Sequence, residues 1–255
     1  MRAWFVSDIH IKTACDSNLA RFEAFLDARL ADATTHLFLV GDIFDLWVGS
    51  DQFFAKRYSG VVDRIKKLRA LGVDIFYFEG NHDLHLADFW QRVLDVTVVS
   101  APRYFTVGNY RVRVEHGDQM NPNDRGYLFL RWLLRTPVLT FTIKLVPGRF
   151  IQLIGSGMSC VSRTWTRNLE ADSQRTTSIV SMIRTHAKLA YKNEPFDIII
   201  SGHVHKRDDF EFDIDNKKVR SINLGTWLQQ PDTKMPRPTE GFVIDGEGAR
   251  WVAIS

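Results

Sequence analysis

Five short stretches of this chain bring carboxylate, carboxamide and imidazole groups together: Asp8-Ile9-His10, Gly41-Asp42, Gly80-Asn81-His82-Asp83, His116-Gly117-Asp118 and Gly202-His203-Val204-His205. That mixture of oxygen and imidazole donors suits a borderline first-row divalent ion such as Mn²⁺, Fe²⁺, Zn²⁺ or Co²⁺. The candidate ligands are Asp8, His10, Asp42, Asn81, His116, His203 and His205. Seven are too many for one ion. They suit two ions about 3.5–4 Å apart that share a carboxylate, an arrangement that activates a water and grips a phosphoryl group. In the D-x-H and H-x-H pairs an extended backbone would send both polar side chains to one side, because strand side chains repeat every second residue. An isolated Asn-His-Asp reads better as a turn capping the next helix; recurrence in five segments is what argues for a metal site. His36, His85 and His186 lack such partners and read as surface or packing residues. Asp118 reads equally as a neighbour of the site or as a turn residue.

Each stretch follows a short apolar run. Ala3 to Ser7, Leu37 to Val40 and Ile75 to Phe78 read as strands, and Gly80 as the point where the backbone needs freedom. Leu19, Phe22, Leu26 and Leu30 share one face of a helix capped by Ser17 or Asn18. Val61, Ile65 and Leu68 share another. Strands separated by helices imply βαβ units and a largely parallel sheet. From about Thr97 the pattern turns to short alternating strands. Tyr104 to Val107 and Tyr110 to Glu115 join across Gly108-Asn109 as a hairpin, and strands follow at Phe196 to Ser201, Phe210 to Ile214, Lys218 to Asn223, Gly241 to Asp245 and Arg250 to Ile254. The expectation is two packed sheets with helices outside.

The 255 residues carry a net charge of only +3, so any basic patch must be local. Cys15 and Cys160 offer neither a disulfide framework nor a thiolate zinc site. Met1 to Asp8 reaches an acidic residue too early for a signal peptide and reads as the first strand of a cytosolic protein.

Between Arg125 and Leu169 there is no Asp or Glu, yet there are seven basic residues among many apolar ones. The longest charge-free run, Phe150 to Ser162, is too short for a membrane span of about 20 apolar residues. A basic, aromatic-flanked helical segment suits a membrane surface, or a pocket for an anionic headgroup with acyl chains. Trp132, Phe141 and Phe150 are then the expected chain contacts. A helical hairpin capping the core is the plainer alternative, since Pro137, Pro147 and Gly155 interrupt any long helix. A nucleic-acid groove fits less well, because Leu and Ile outnumber stacking aromatics; no nucleic-acid partner is expected.

The order D-x-H, G-D, G-N-H-D, H and G-H-x-H across nearly the whole chain resembles the calcineurin-like metallophosphoesterase superfamily. The resemblance implies an α/β protein: a four-layer α/β/β/α sandwich, one domain over 1–255 with a helical lid insertion at approximately 124–169. It implies two divalent ions, Mn²⁺ foremost, one on Asp8, His10, Asp42 and His205 and the other on Asp42, Asn81, His116 and His203, with Asp42 bridging. His82 would be the proton donor or a phosphoryl clamp, and Asp45 would fix its ring. Within the superfamily, the run Gly41 to Gly49, His116-Gly117-Asp118 and Asn123 to Tyr127 look like the UDP-2,3-diacylglucosamine pyrophosphohydrolases of lipid A synthesis. That similarity implies water attack on one phosphorus, releasing UMP and 2,3-diacylglucosamine 1-phosphate, by a cytoplasmic enzyme peripheral to the inner membrane. Asp124 would stand near the glucosamine, and Arg163 and Arg167 near the diphosphate. Two departures are His82, where the best-known members carry Arg, and the stretch Gln119-Met120-Asn121-Pro122. A metal-dependent phosphodiesterase or phosphatase acting on nucleotides or phosphoproteins would use the same ligands. A non-catalytic interaction module would need gaps among them, and there is none.

Overall fold

The computed structural model describes residues 1–49, 52–146, 148, 173–228 and 239–254. Its strands are β1 (Ala3–Val6), β2 (His36–Leu39), β3 (Trp47–Val48), β4 (Asp74–Phe78), β5 (Asp83–Leu84), β6 (Thr97–Val99), β7 (Arg103–Val107), β8 (Tyr110–Val114), β9 (Ile198–Ser201), β10 (Asp208–Ile214), β11 (Lys217–Asn223), β12 (Glu240–Asp245) and β13 (Gly248–Ala253). The helices are α1 (Ser17–Ala31), α2 (Gln52–Arg57), α3 (Ser59–Ala70), α4 (Arg125–Leu134), α5 (Pro137–Leu145) and α6 (Ser173–Asn193).

Six strands form one sheet in the order β13-β12-β1-β2-β4-β6, and five form a second in the order β10-β11-β9-β8-β7. In the first, β1, β2, β4 and β6 run parallel, as βαβ crossovers require, while β12 lies antiparallel to β1. In the second, β9 lies parallel to both β8 and β11, between two antiparallel pairs. The pair β3 and β5 stands apart.

Alternation along the parallel strands divides the interior. Trp4, Val6, Leu37, Leu39, Ile75 and Tyr77 cluster with Phe22, Phe25 and Leu26 of α1 and Val61, Ile65 and Leu68 of α3. Ala3, Phe5, Phe38, Val40 and Phe78 on the opposite face cluster with Val112, Val114, Ile198, Ile200 and Ile222 of the second sheet. Both faces are covered, which is why these strands read as unbroken apolar runs. Ala187, Ala190 and Tyr191 of α6 cover the far side of the second sheet at Ile199, Phe212 and Val219. Between the sheets Phe5, Phe38 and Phe76 stack across three neighbouring strands at 4.4 and 4.9 Å, and Phe105 meets Phe38 edge-on at 4.9 Å.

The cap of α1 is Asp16, whose side chain accepts from the Asn18 backbone N–H, rather than Ser17 or Asn18. Asn18 is instead buried, and its Nδ2 donates to the Ile9 carbonyl at 2.8 Å, tying α1 to the loop that carries Asp8 and His10. Among the described residues no helix is long and apolar enough to cross a membrane.

Candidate metal centre

Asp8, Asp42, Asn81, His116 and His203 all follow strands at their carboxyl ends, after β1, β2, β4, β8 and β9. Open α/β sheets place their chemistry there. The local backbone differs from the extended form expected. Asp8, His10, Asp42, His203 and His205 have φ of 51°, 52°, 53°, 71° and 53°, the left-handed region that costs a non-glycine residue energy. Paired side chains therefore converge because each loop turns sharply. Ladder bonds hold the turns: Asp8 N donates to Gly41 O at 3.1 Å, His10 N to Asp42 O at 3.0 Å, and Ile11 N to Ile43 O at 3.0 Å. Gly80 serves close approach rather than backbone freedom. A Cβ there would stand 2.7 Å from the Asp42 backbone nitrogen, and closer to its carboxylate.

The side chains form two groups joined at Asp42. In one, His10 Nε2 lies 2.8 Å from His205 Nε2, and Asp8 Oδ1 lies 3.4 Å from His205 Nε2 and 3.9 Å from His10 Nε2. In the other, Asn81 Oδ1 lies 3.0 Å from His203 Nδ1 and 3.3 Å from His116 Nε2. Asp42 Oδ2 stands 3.6 Å from His116 Nε2 and 4.0 Å from His10 Nε2, while its Oδ1 accepts from Asn81 N and His82 N at 2.9 Å each. One oxygen of Asp42 is thus spent on the backbone and the other stands between the groups.

Ligand atoms about 2.1 Å from one ion lie roughly 3.0–3.4 Å apart, so a pair of ions would fit after a slight opening of the His10–His205 pair and a modest closing of the carboxylate spacings. Asp8 Oδ1 is buried without a hydrogen-bond partner among the described residues, a cost that a cation held by Asp8 would offset. Without cations, burial pushes the His203 ring down to about 4, with His116 adding to the shift, and burial also holds His10 well below the usual value. Burial acts the same way on His116, but the Asp42 carboxylate, with Asp8 and Asp118 behind it, overcomes it and raises His116 to about 10. His116 Nδ1 meets the Val40 carbonyl at 2.9 Å, which leaves Nε2 facing the site.

His82 Nδ1 meets the backbone carbonyl of Asp45 at 3.0 Å, not its carboxylate. The Asp45 carboxylate instead stands 3.8 Å from His10 Nδ1. A carboxylate oxygen of Asp45 and ring nitrogens of His10 and His82 all lie within 4.8 Å of one another, so Asp45 adjoins both rings. Sequence reasoning passed over Asp83, fully buried behind the site. Its carboxylate accepts from Asp42 N at 3.1 Å, Ile43 N at 2.9 Å, Gly80 N at 2.8 Å and the Tyr77 hydroxyl at 2.6 Å, clamping two ligand loops together. Its adjacency to Asn81 and His82 was the available signal. His186 packs against buried Glu115, and His85 Nε2 meets the Leu134 carbonyl at 3.0 Å.

Helix α4 is amphipathic the wrong way round for water. Tyr127, Arg131 and Arg135, one turn apart, face inward: the Tyr127 hydroxyl donates to Asp118 Oδ2 at 2.8 Å, Arg131 Nε to the same oxygen at 2.5 Å, and Arg135 approaches the Gly80 carbonyl at 3.5 Å. Asp118 is thus the seat of α4 beside His116. Phe129, Trp132, Val138 and Phe141 are exposed at 61%, 62%, 78% and 66%. Asp124 caps α4 by accepting from Tyr127 N at 3.0 Å. Phe150, Arg163 and Arg167 lie outside the described residues.

Two mixed sheets packed face to face gather His, Asp and Asn donors at their strand ends, an arrangement able to hold metal ions. Residues 1–207 match the calcineurin-like phosphoesterase family, and the chain belongs to it. It is therefore a metal-dependent hydrolase. The chain is 25% identical over 230 residues to the UDP-2,3-diacylglucosamine hydrolase of Pseudomonas paraeruginosa, covering 90% of this chain and 92% of the relative. It is 25% identical over 229 residues to the enzyme of the same name from Chromohalobacter salexigens, covering 89% of each. Among solved structures, wild-type Vps29 with zinc from Entamoeba histolytica superposes with a TM-score of 0.44 at 14% identity, covering 100% of both chains.

Proposed function

We propose that this chain hydrolyses the diphosphate of UDP-2,3-diacylglucosamine, yielding UMP and 2,3-diacylglucosamine 1-phosphate. Two divalent ions, Mn²⁺ foremost, are held by Asp8, His10, Asp42 and His205 and by Asp42, Asn81, His116 and His203. When bound, such a pair supplies Lewis acidity that neutralises phosphoryl oxygens and makes water more acidic. A water oxygen forms the new bond to phosphorus as the bridging P–O bond breaks. With Nδ1 of His82 held on the Asp45 carbonyl, Nε2 is the atom that carries the proton to the departing oxygen. Asp45 keeps the His10 ring in place.

The observation that carries the lipid substrate is the set of exposed apolar side chains Phe129 and Trp132 on α4, whose inner face adjoins the metal loops, with Val138 and Phe141 on the following α5. Exposed aromatic and aliphatic side chains on short helices suit acyl chains and the membrane interface. The relatives' names agree with that substrate. The segment 124–169 is then a lid within a single domain, Trp132 and Phe141 meet the acyl chains with Phe150, Asp124 approaches the sugar, and Arg163 and Arg167 serve the diphosphate. The protein works at the inner face of the cytoplasmic membrane.

The test is UMP release from UDP-2,3-diacylglucosamine by purified protein with Mn²⁺, beside the deacylated UDP-sugar and an aryl phosphodiester. Preference for the acylated substrate is the expected result. Turnover of the aryl diester alone would retain the metal centre and refute the lipid substrate.

A further inference from the structure

Arg131 lies on the inner face of α4 and Arg135 follows one turn later as its C-cap, yet their surroundings differ. Arg131 is well met: Nε donates to Asp118 Oδ2 at 2.5 Å and Nη2 to the Ser100 carbonyl at 3.2 Å. Arg135 is not. Its best contact is the Gly80 carbonyl at 3.5 Å, Glu79 Oε2 stands 3.8 Å away, and its buried Nε has no hydrogen-bond partner among the described residues. A guanidinium offers five N–H donors in a planar fork, and leaving them unmet away from water is costly. The other oxygen of Glu79, Oε1, accepts from Leu86 N at 2.9 Å, which holds the carboxylate at that distance from Arg135. Burial depresses the Arg135 pKa, with Arg131 adding to it against the opposing pull of Glu79 and Asp118. The Gly80 carbonyl it approaches belongs to the residue before Asn81, on the loop that also carries His82.

We propose that Arg135 is a substrate-binding residue whose guanidinium takes a phosphoryl oxygen of the phosphodiester or diphosphate at the metal centre, reaching it from α4 past Gly80. The assignment rests on the metallophosphoesterase reading above. A planar fork suits phosphate because two parallel N–H bonds fix orientation as well as charge. An arriving anion supplies the acceptor that Nε lacks, and α4 is drawn onto the site as it binds. The residue thereby couples the lid to the phosphate rather than to the acyl chains.

The experiment compares wild type, R135Q and R135K for Mn²⁺ uptake by titration, inhibition by inorganic phosphate, and the KM and kcat for an aryl phosphodiester. R135Q is expected to take up Mn²⁺ as wild type does, while its phosphate inhibition constant and KM rise about tenfold or more, as loss of a charge-assisted hydrogen bond requires. R135K, which keeps the charge but loses the fork, falls between. Unchanged phosphate inhibition and KM at equal Mn²⁺ uptake would overturn the assignment and leave the metal centre standing. A lowered thermal midpoint with unchanged phosphate inhibition would make Arg135 a strut against Glu79, which also overturns it. A wild-type chain that takes up no Mn²⁺ removes the reading on which the assignment rests, and the assignment with it.

Discussion

At the scale of single residues, Asp42 and His82 have separable parts. Asp42 places one oxygen on the Asn81 and His82 amides and the other between the two groups of donors. Asp42→Ala should therefore abolish both turnover and Mn²⁺ uptake, read by activity assay and metal analysis. His82→Gln should keep Mn²⁺ content yet lower kcat by about 10²–10⁴-fold, the usual reach of a positioned acid. A pH dependence follows from His116, whose pKa of about 10 in the metal-free chain means that its ring is protonated near neutrality. The cation must displace that proton, which becomes easier as pH rises toward that value. Apparent Mn²⁺ affinity should climb up to about tenfold per pH unit from roughly pH 6 to 9, measurable by titration in buffers of different pH. The seven candidate ligands could be picked out in the sequence because the segments that carry them stand behind apolar runs, and the structure brings those residues together. Their left-handed backbones were not legible, since Asp-x-His spacing is the same in a strand and in a sharp turn.

At the scale of elements, the parallel strands and their helices were plain because burial on both faces leaves runs such as Leu37-Phe38-Leu39-Val40. The seating of α4 was hidden. Sequence tells which residues of Arg125 to Leu134 are basic and which apolar, but not that Asp118 waits on the inner side to receive Tyr127 and Arg131. Nor did Asp83 declare itself, because a carboxylate gathering four donors from three segments looks in sequence like any turn residue. The exposed apolar side chains of α4 and α5 lead to a distinct expectation. A Trp132→Ser, Phe141→Ser double variant should bind anionic phospholipid vesicles more weakly in co-sedimentation. Its KM for the acylated substrate should rise about tenfold or more, since each large apolar side chain withdrawn from water contributes about 1.5–3 kcal/mol.

At the scale of the whole molecule, the aromatic stack joins the sheets. Phe38 is wholly buried between Phe5 and Phe76 and touches Phe105 of the other sheet. Phe38→Ala should cost about 3–5 kcal/mol, read as a lowered urea midpoint with an unchanged slope. The same architecture makes distant segments depend on one another. β1 lies between β2 and β12, and His10 meets His205 across 195 positions of chain. Such non-local pairing closes slowly, and protein synthesis delivers its partners in sequence. A chain still on the ribosome with only its first half exposed carries four of the five ligand segments and a bare β1 edge, open both to stray metal and to strands of other nascent chains. Protection from chaperones would then matter most in the interval before β9 and β12 emerge.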